Sequence, residues 1–149
     1  MIETQPLRWW QVETLLPIER ELFGPSAWTP ETFWAELAHP ETRWYIAAVE
    51  AGEVLGYAGL LCPGPEADVQ TIAVAPSAQG RGVGSLLLDA LLTRAKEQRA
   101  TAVLLEVRAD NEAAIRLYQR RGFERIAIRR RYYQPEDVDA WVMRLRPIR

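Results

Sequence analysis

The chain has 149 residues, is 48% hydrophobic and 26% charged, and carries a net charge of −2, which suits one domain over 1–149 and argues against broad nucleic-acid binding. No apolar run reaches the roughly 18 residues of a membrane span, and MIETQPLRWW lacks the basic start and apolar stretch of a signal peptide, so a cytoplasmic protein without a membrane partner is expected. The single cysteine, Cys62, and single histidine, His39, exclude an internal disulfide and a Cys/His zinc site and argue against a Ser-His-Asp triad.

In chain order, IETQPL reads as a short first strand. Leu7, Trp10, Leu15, Ile18 and Leu22 fall near helical spacing in LRWWQVETLLPIERELF, which predicts an amphipathic helix that Pro17 kinks or splits. SAWTPETFWAELAH starts a second helix, with Thr29 as cap and Pro30 in the first turn. His39 follows in a polar turn and is read as a surface residue. RWYIAAVEAGEVLGYAGLLC predicts a hairpin turning at EAGE, and EADVQTIAV a further long strand. A helix is expected from about Gly82 to Arg99, a buried strand at TAVLLEV, and a short helix at NEAAIRLYQRRG with Asn111 or Asp110 as cap and Gly122 as stop. FERIAIRRRYY and DVDAWVMRLR close the chain as a strand pair around QPED. The order predicts an α/β protein with a mixed sheet, in which the strands before and after the long helix are parallel.

SAQGRGVG, Ser77 to Gly84, spends three alternate positions on glycine directly before a helix. Glycine admits positive φ and close approach of a ligand to the backbone. The helix start presents unpaired N–H groups and the positive end of its dipole, so the pattern suits a phosphate. A Walker loop is excluded, because no Lys-Ser or Lys-Thr follows. A dinucleotide fingerprint fits poorly, because the third glycine falls at Ser85 and APSAQ separates the loop from the strand TIAV. A loop with a purely structural role remains the other reading.

Q-x-x-G-x-G, here Gln79, Gly82 and Gly84, resembles the acyl-CoA pyrophosphate loop of the GNAT family of N-acetyltransferases. TIAVAPSAQGRGVG supplies the preceding strand, and EVRADNEAAIRLYQRRGF matches the family's N..A..LY...GF segment. LEVR..N.AAI.LY...GF followed by IRRRYY is closer still to the RimI type, which acetylates protein N-termini and, by name, the N-terminal alanine of a small-subunit ribosomal protein. Three departures stand out: Ala27 where proline is usual, Arg131 where that type commonly has the asparagine of RRNYY, and a slightly shorter last hairpin; the last two lie where the family grips the peptide. The resemblance implies the GNAT acyl-CoA N-acyltransferase fold, with about seven strands and helices on both faces. It implies acetyl-CoA as donor, no metal, and a protein or peptide N-terminus as acceptor, with no direct contact to nucleic acid.

The residues then take expected roles. Backbone amides of Gln79, Gly80, Arg81, Gly82, Val83, Gly84 and Ser85 cradle a pyrophosphate, and Arg81 either adds charge or is solvated. By resemblance, the backbone of Ile72, Ala73 and Val74 pairs with the pantetheine arm, which requires the parallel strands to splay, and Val74 N–H faces the oxyanion. In AVLLEVR, period two puts Leu104 and Glu106 on one face and Val103, Leu105 and Val107 on the other. Glu106 is then the family's general base or one half of a salt bridge with Arg108 or another arginine. Tyr118 sits at helix-face spacing from Ile115 and is either a core tyrosine or, by resemblance, the acid that protonates the leaving sulfur. Asn111 is a cap to which the resemblance adds a CoA contact. Trp28, Tyr132 and Tyr133 wall the peptide slot or pack the hairpin. A lysine, polyamine or other small amine is the rival acceptor, and a non-catalytic acyl-CoA-binding or partner-binding module the rival class.

Overall fold

The computed structural model describes residues 1–148. Seven strands form one sheet: β1 (Glu3–Pro6), β2 (Arg43–Glu50), β3 (Glu53–Leu61), β4 (Glu66–Val74), β5 (Ala102–Arg108), β6 (Glu124–Tyr133) and β7 (Val138–Leu145). Their order is β1-β2-β3-β4-β5-β7-β6. Only β4 and β5 run parallel, as a strand–helix–strand crossover requires. Four helices complete the fold: α1 (Val12–Phe23), α2 (Pro30–Leu37), α3 (Val83–Glu97) and α4 (Glu112–Arg120).

The alternating side chains of the sheet feed two cores. On one face Ile46, Ala58, Leu60, Val103 and Leu105 pack with Leu87, Leu88 and Leu91 of α3 and Ile115 and Tyr118 of α4. On the other, Tyr45, Ala47, Tyr57 and Ala73 pack with Val12, Leu15 and Leu16 of α1 and Phe33 of α2. The expected parity of β5 is observed: Val103, Leu105 and Val107 are buried, and Glu106 is on the opposite face. Thr29 caps α2 by accepting from Thr32 N–H at 3.2 Å, and Asn111, not Asp110, caps α4 by accepting from Ala114 N–H at 3.2 Å.

The first helix departs from expectation. Trp9–Gln11 form one 3-10 turn before α1, and Trp10 is 62% exposed instead of facing the core. α1 runs unbroken through Pro17, which lies on its exposed side. Its buried face is Val12, Leu15, Leu16 and Glu19, rotated from the Trp10–Ile18–Leu22 stripe and including a carboxylate.

Tyr45 and Gly59 are direct cross-strand partners, and the ring lies across the glycine so closely that a Cβ there would fall 2.1 Å from it. The Tyr45 hydroxyl donates to Glu36 at 2.7 Å, which fixes the ring in that position. Gly59→Ala should therefore cost about 1–3 kcal/mol by overpacking and lower the melting temperature by several degrees. An unchanged thermal midpoint would show that the ring moves freely.

Candidate active site

The site begins where two strands part. β4 and β5 pair only from Glu66↔Ala102 to Asp68↔Leu104, after which β5 continues along β7 alone. A bulge follows at once: Gly59 pairs Thr71 but Leu60 pairs Val69, leaving Gln70 extra. The bulge swaps the faces of β4, so Ala67 and Val69 share a core with Ile72 and Val74. Ala75 N–H donates to the Leu55 carbonyl at 2.8 Å. Antiparallel alternation then turns the N–H groups of Ile72 and Val74 toward the opened cleft and the backbone of Ala73 toward Tyr57. Of the three residues expected to pair with a ligand, Ile72 and Val74 thus turn their N–H groups to the cleft, whereas Ala73 is held by β3, although it still lines the groove.

The glycine loop faces that cleft. Gly80 and Gly82 have φ of 83° and 80°, left-handed values that explain the residue type, and Gly82 is the N-cap of α3. Gly84 lies inside the helix, where an added Cβ would meet Leu117 at 3.3 Å; its smallness lets α3 and α4 approach. A groove of about 560 Å³ runs along Ile72, Ala73 and Val74, Gln79, Gly80, Gly82, Val83, Gly84 and Ser85, and the α4 residues Ala113, Arg116, Leu117 and Arg120. Gln79 Nε2 donates to the Val74 carbonyl at 3.3 Å, tying the loop to the strand end. Amides at a helix start, an open strand edge and two arginines suit a long ligand with phosphates at one end and amides along its arm.

A second cavity, about 220 Å³, opens on the other side of the cleft. Its walls include Glu19, Trp28, Gln70, Glu106 and Tyr133. The two cavities share Phe23, Ile72, Arg108, Asn111 and Tyr118. Tyr118 is 7% exposed and packs on Phe123 at 5.9 Å, so it is the core tyrosine and also stands at the junction. Burial, and secondarily Tyr133, pushes its hydroxyl up to about 12, so it is protonated, and a proton donor, at neutral pH. Glu106 is paired with Arg129, Nε to Oε2 at 2.8 Å. The salt bridge is real, and its partner is on β6 rather than Arg108, which binds Asp110 and Glu136. Asp68, at the fork, is raised by burial and by the charges of Glu66 and Glu106.

The arginine-rich strand β6 closes this side. Between Arg129↔Ala140 and Tyr133↔Val138 the strand carries extra residues, and Arg131 takes a φ of 54°. Its N–H donates to Asp139 at 2.8 Å and its guanidinium pairs with Asp137 at 2.7 Å. This gives the departure at position 131 a backbone meaning: asparagine tolerates the left-handed region, and arginine holds it here with two aspartates. Arg129, Arg130 and Arg131 each face a carboxylate, so the basic run is largely neutralised locally.

Several expected contacts move. Arg81 binds Glu50 through two 2.9 Å bonds and is not among the residues lining the groove. Tyr132 is 48% exposed, lies under Arg129 and edge-on to Tyr133, and does not line the inner cavity; Trp28 and Tyr133 do. His39 is exposed beside Glu41, as read from its context. Glu19, Phe23 and Arg129 were not singled out. Only Glu19 left a sequence signal, as the acid seven residues from Val12 and four from Leu15 on one helix face. A larger cleft, about 740 Å³, lies among α3, the end of α4 and the end of β7, and contains none of the expected site residues. Among the described residues no group of three or more potential metal ligands occurs, and no helix is long and apolar enough to cross a membrane.

Residues 7–123 match the Acetyltransferase (GNAT) family. The chain is 45% identical over 132 residues to N-alpha-acetyltransferase RimI of Mycobacterium tuberculosis, covering 85% of this chain and 81% of that one. The crystal structure of the ribosomal-protein-S18-alanine N-acetyltransferase from Escherichia coli superposes with a TM-score of 0.88 at 31% identity, over 99% of this chain and 94% of that one. Ard1 from Thermoplasma volcanium gives 0.88 at 27% identity, over 99% of each chain. With the parted strands, the glycine loop and the LY helix in place, the chain belongs to the GNAT family and is an N-acetyltransferase. Among its relatives, it is similar to the RimI enzymes.

The Arg131 geometry yields a prediction. Arg131→Gly relieves a strained φ worth about 1 kcal/mol and loses an exposed ion pair worth about 0–1 kcal/mol, so stability in urea should stay level or rise slightly. Asp139→Ala, which strips the acceptor from the Arg131 N–H, should cost about 1 kcal/mol. Equal losses in both variants would contradict this account of the bulge.

Proposed function

We propose that the chain transfers the acetyl group of acetyl-CoA to the α-amino group of a protein N-terminus, by direct attack of the amine on the thioester. The observation that carries this reading is the junction: the groove fitted to a phosphate-bearing cofactor and the cavity holding Glu106 share Tyr118 and Ile72 as common wall. The similarity to RimI enzymes supports an N-terminal acceptor, and the ribosomal-protein alanine named for the Escherichia coli relative is the acceptor we infer here.

Acetyl-CoA, when bound, supplies an acetyl group activated as a thioester. The amides of Gln79 to Ser85 and the dipole of α3 hold its pyrophosphate, with Arg116 and Arg120 adding positive charge along the groove. The N–H groups turned outward at Ile72 and Val74 order the arm, and that of Val74 donates to the oxygen on which negative charge develops. Asn111 keeps its cap and borders the same junction. An α-amino group is partly protonated at neutral pH, with a pKa of about 7.7–8.0, and only its neutral form attacks. Glu106 removes that proton, directly or through a water. Its bond to the exposed Arg129 is worth about 0–1 kcal/mol, so an arriving ammonium can replace the guanidinium. Tyr118 keeps its own proton until the sulfur leaves and then donates it. Trp28 and Tyr133 wall the space for the first acceptor residue.

Steady-state kinetics with an alanine-starting peptide test these roles. Glu106→Gln should lower kcat by about 10²–10⁴, while acetyl-CoA affinity stays within about twofold. Tyr118→Phe should lower kcat with a melting temperature close to wild type, since the ring that packs on Phe123 is kept. Wild-type turnover in either variant removes that residue from the mechanism.

A further inference from the structure

Glu19 is the one charged side chain in the described core, 2% exposed, and the acetyl-transfer chemistry above does not use it. It lies on the buried face of α1 and lines the inner cavity together with Glu106 and Tyr118. Its two oxygens are committed to different parts of the fold. Oε1 accepts from the Tyr57 hydroxyl of β3, and Oε2 accepts from the backbone N–H of Trp28 at 2.9 Å. Burial raises the carboxyl, and the bonds from Tyr57 and Trp28 oppose that rise. A buried carboxylate is tolerated when its lone pairs are used in this way, and removing it would orphan two donors.

The segment it grips is short, and its side chains Phe23 and Trp28 pack against the second core. Gly24–Ser26 form a single 3-10 turn between α1 and α2, and Phe23, Ser26 and Trp28 from this stretch all border the inner cavity. The Trp28 ring rests on Phe33 at 5.1 Å; its backbone is tied through Glu19. The cofactor groove, by contrast, is built from β4, the glycine loop, α3 and α4, and Glu19 is not among its lining residues. One wall of one cavity therefore depends on this carboxylate.

We propose that Glu19 is a positioning residue for the acceptor: it holds the Trp28 segment as a fixed wall of the inner cavity and thereby sets the acceptor's fit, without touching the reacting atoms. The proposal rests on reading that cavity as the acceptor site. It requires that the loss of Glu19 be felt in the KM for the acceptor and not in the affinity for acetyl-CoA, and that the effect follow the Trp28 hydrogen bond rather than the charge.

Three variants of the full chain, Glu19→Ala, Glu19→Asp and Glu19→Gln, separate these terms. Amide hydrogen exchange at Trp28 and kinetics with an alanine-starting peptide are measured in each. Glu19→Ala should speed Trp28 exchange at least about tenfold and raise acceptor KM by about tenfold, as expected for one lost buried hydrogen bond, with acetyl-CoA affinity within twofold. Glu19→Asp keeps the charge but is a methylene too short to reach both donors, so it should show the same pattern at reduced size even if the alanine variant fails to fold. Glu19→Gln retains an acceptor for the Trp28 N–H and should recover most of both readouts. Acceptor KM within twofold of wild type in folded Glu19→Ala or Glu19→Asp would overturn the proposal. So would acetyl-CoA affinity falling in step with acceptor KM, or a glutamine variant as impaired as alanine. A wild-type enzyme that leaves the peptide unmodified defeats the functional reading, whereas unchanged Trp28 exchange in the alanine variant defeats the tether.

Discussion

The architecture depends on a hydrogen-bond ladder that stops. β4 and β5 begin as parallel neighbours and separate beyond Asp68 and Leu104, and unpaired backbone groups inside a protein are costly unless something else satisfies them. The fold meets that constraint in two ways. β5 turns its other edge to β7 along its full length, and β4 stays on β3 through its end. What remains is a wedge between the parted strands, the place where the proposed reaction sits. The bulge at Gln70 adjusts the strand so that Ile72 and Val74 present N–H groups to it.

The electrostatics of the two sides of the wedge differ, and the difference sorts ligands. One side has the start of α3, with left-handed glycines and no acid in its first turn, an environment that favours anions. The other has Glu106 and, at the fork, Asp68, an environment that favours an ammonium. On the proposed reading, a phosphate-bearing donor and a cationic acceptor enter at opposite mouths of one passage, with Tyr118 between them. Nearby arginines do not upset this division, because Arg81, Arg108, Arg129 and Arg131 are each held by a carboxylate.

Much of this was legible in the sequence, for physical reasons. The strand β4, the glycine loop and the α4 cap are local features in which residue type and backbone conformation are coupled one to one. The period of AVLLEVR placed Glu106 on the correct face. What escaped was what depends on distant partners. No local pattern says that Trp10 is exposed, because the helix begins two residues later through a 3-10 turn. Nothing near Glu106 shows that Arg129 reaches it across β7. Arg131 looked like a change in the acceptor grip, and its left-handed φ makes it a feature of the hairpin backbone. Glu19 was hidden by a helix face drawn one residue out of phase.

The central claim is the class of acceptor, and the mass of a peptide after incubation with acetyl-CoA tests it most directly. Two peptides suffice: one with a free N-terminal alanine and no lysine, the other N-terminally blocked with an internal lysine. The structure and the kinship with RimI enzymes predict one added acetyl group on the first peptide and none on the second. Acetylation of the blocked peptide alone would contradict the N-terminal reading while leaving the acetyltransferase fold and cofactor groove intact.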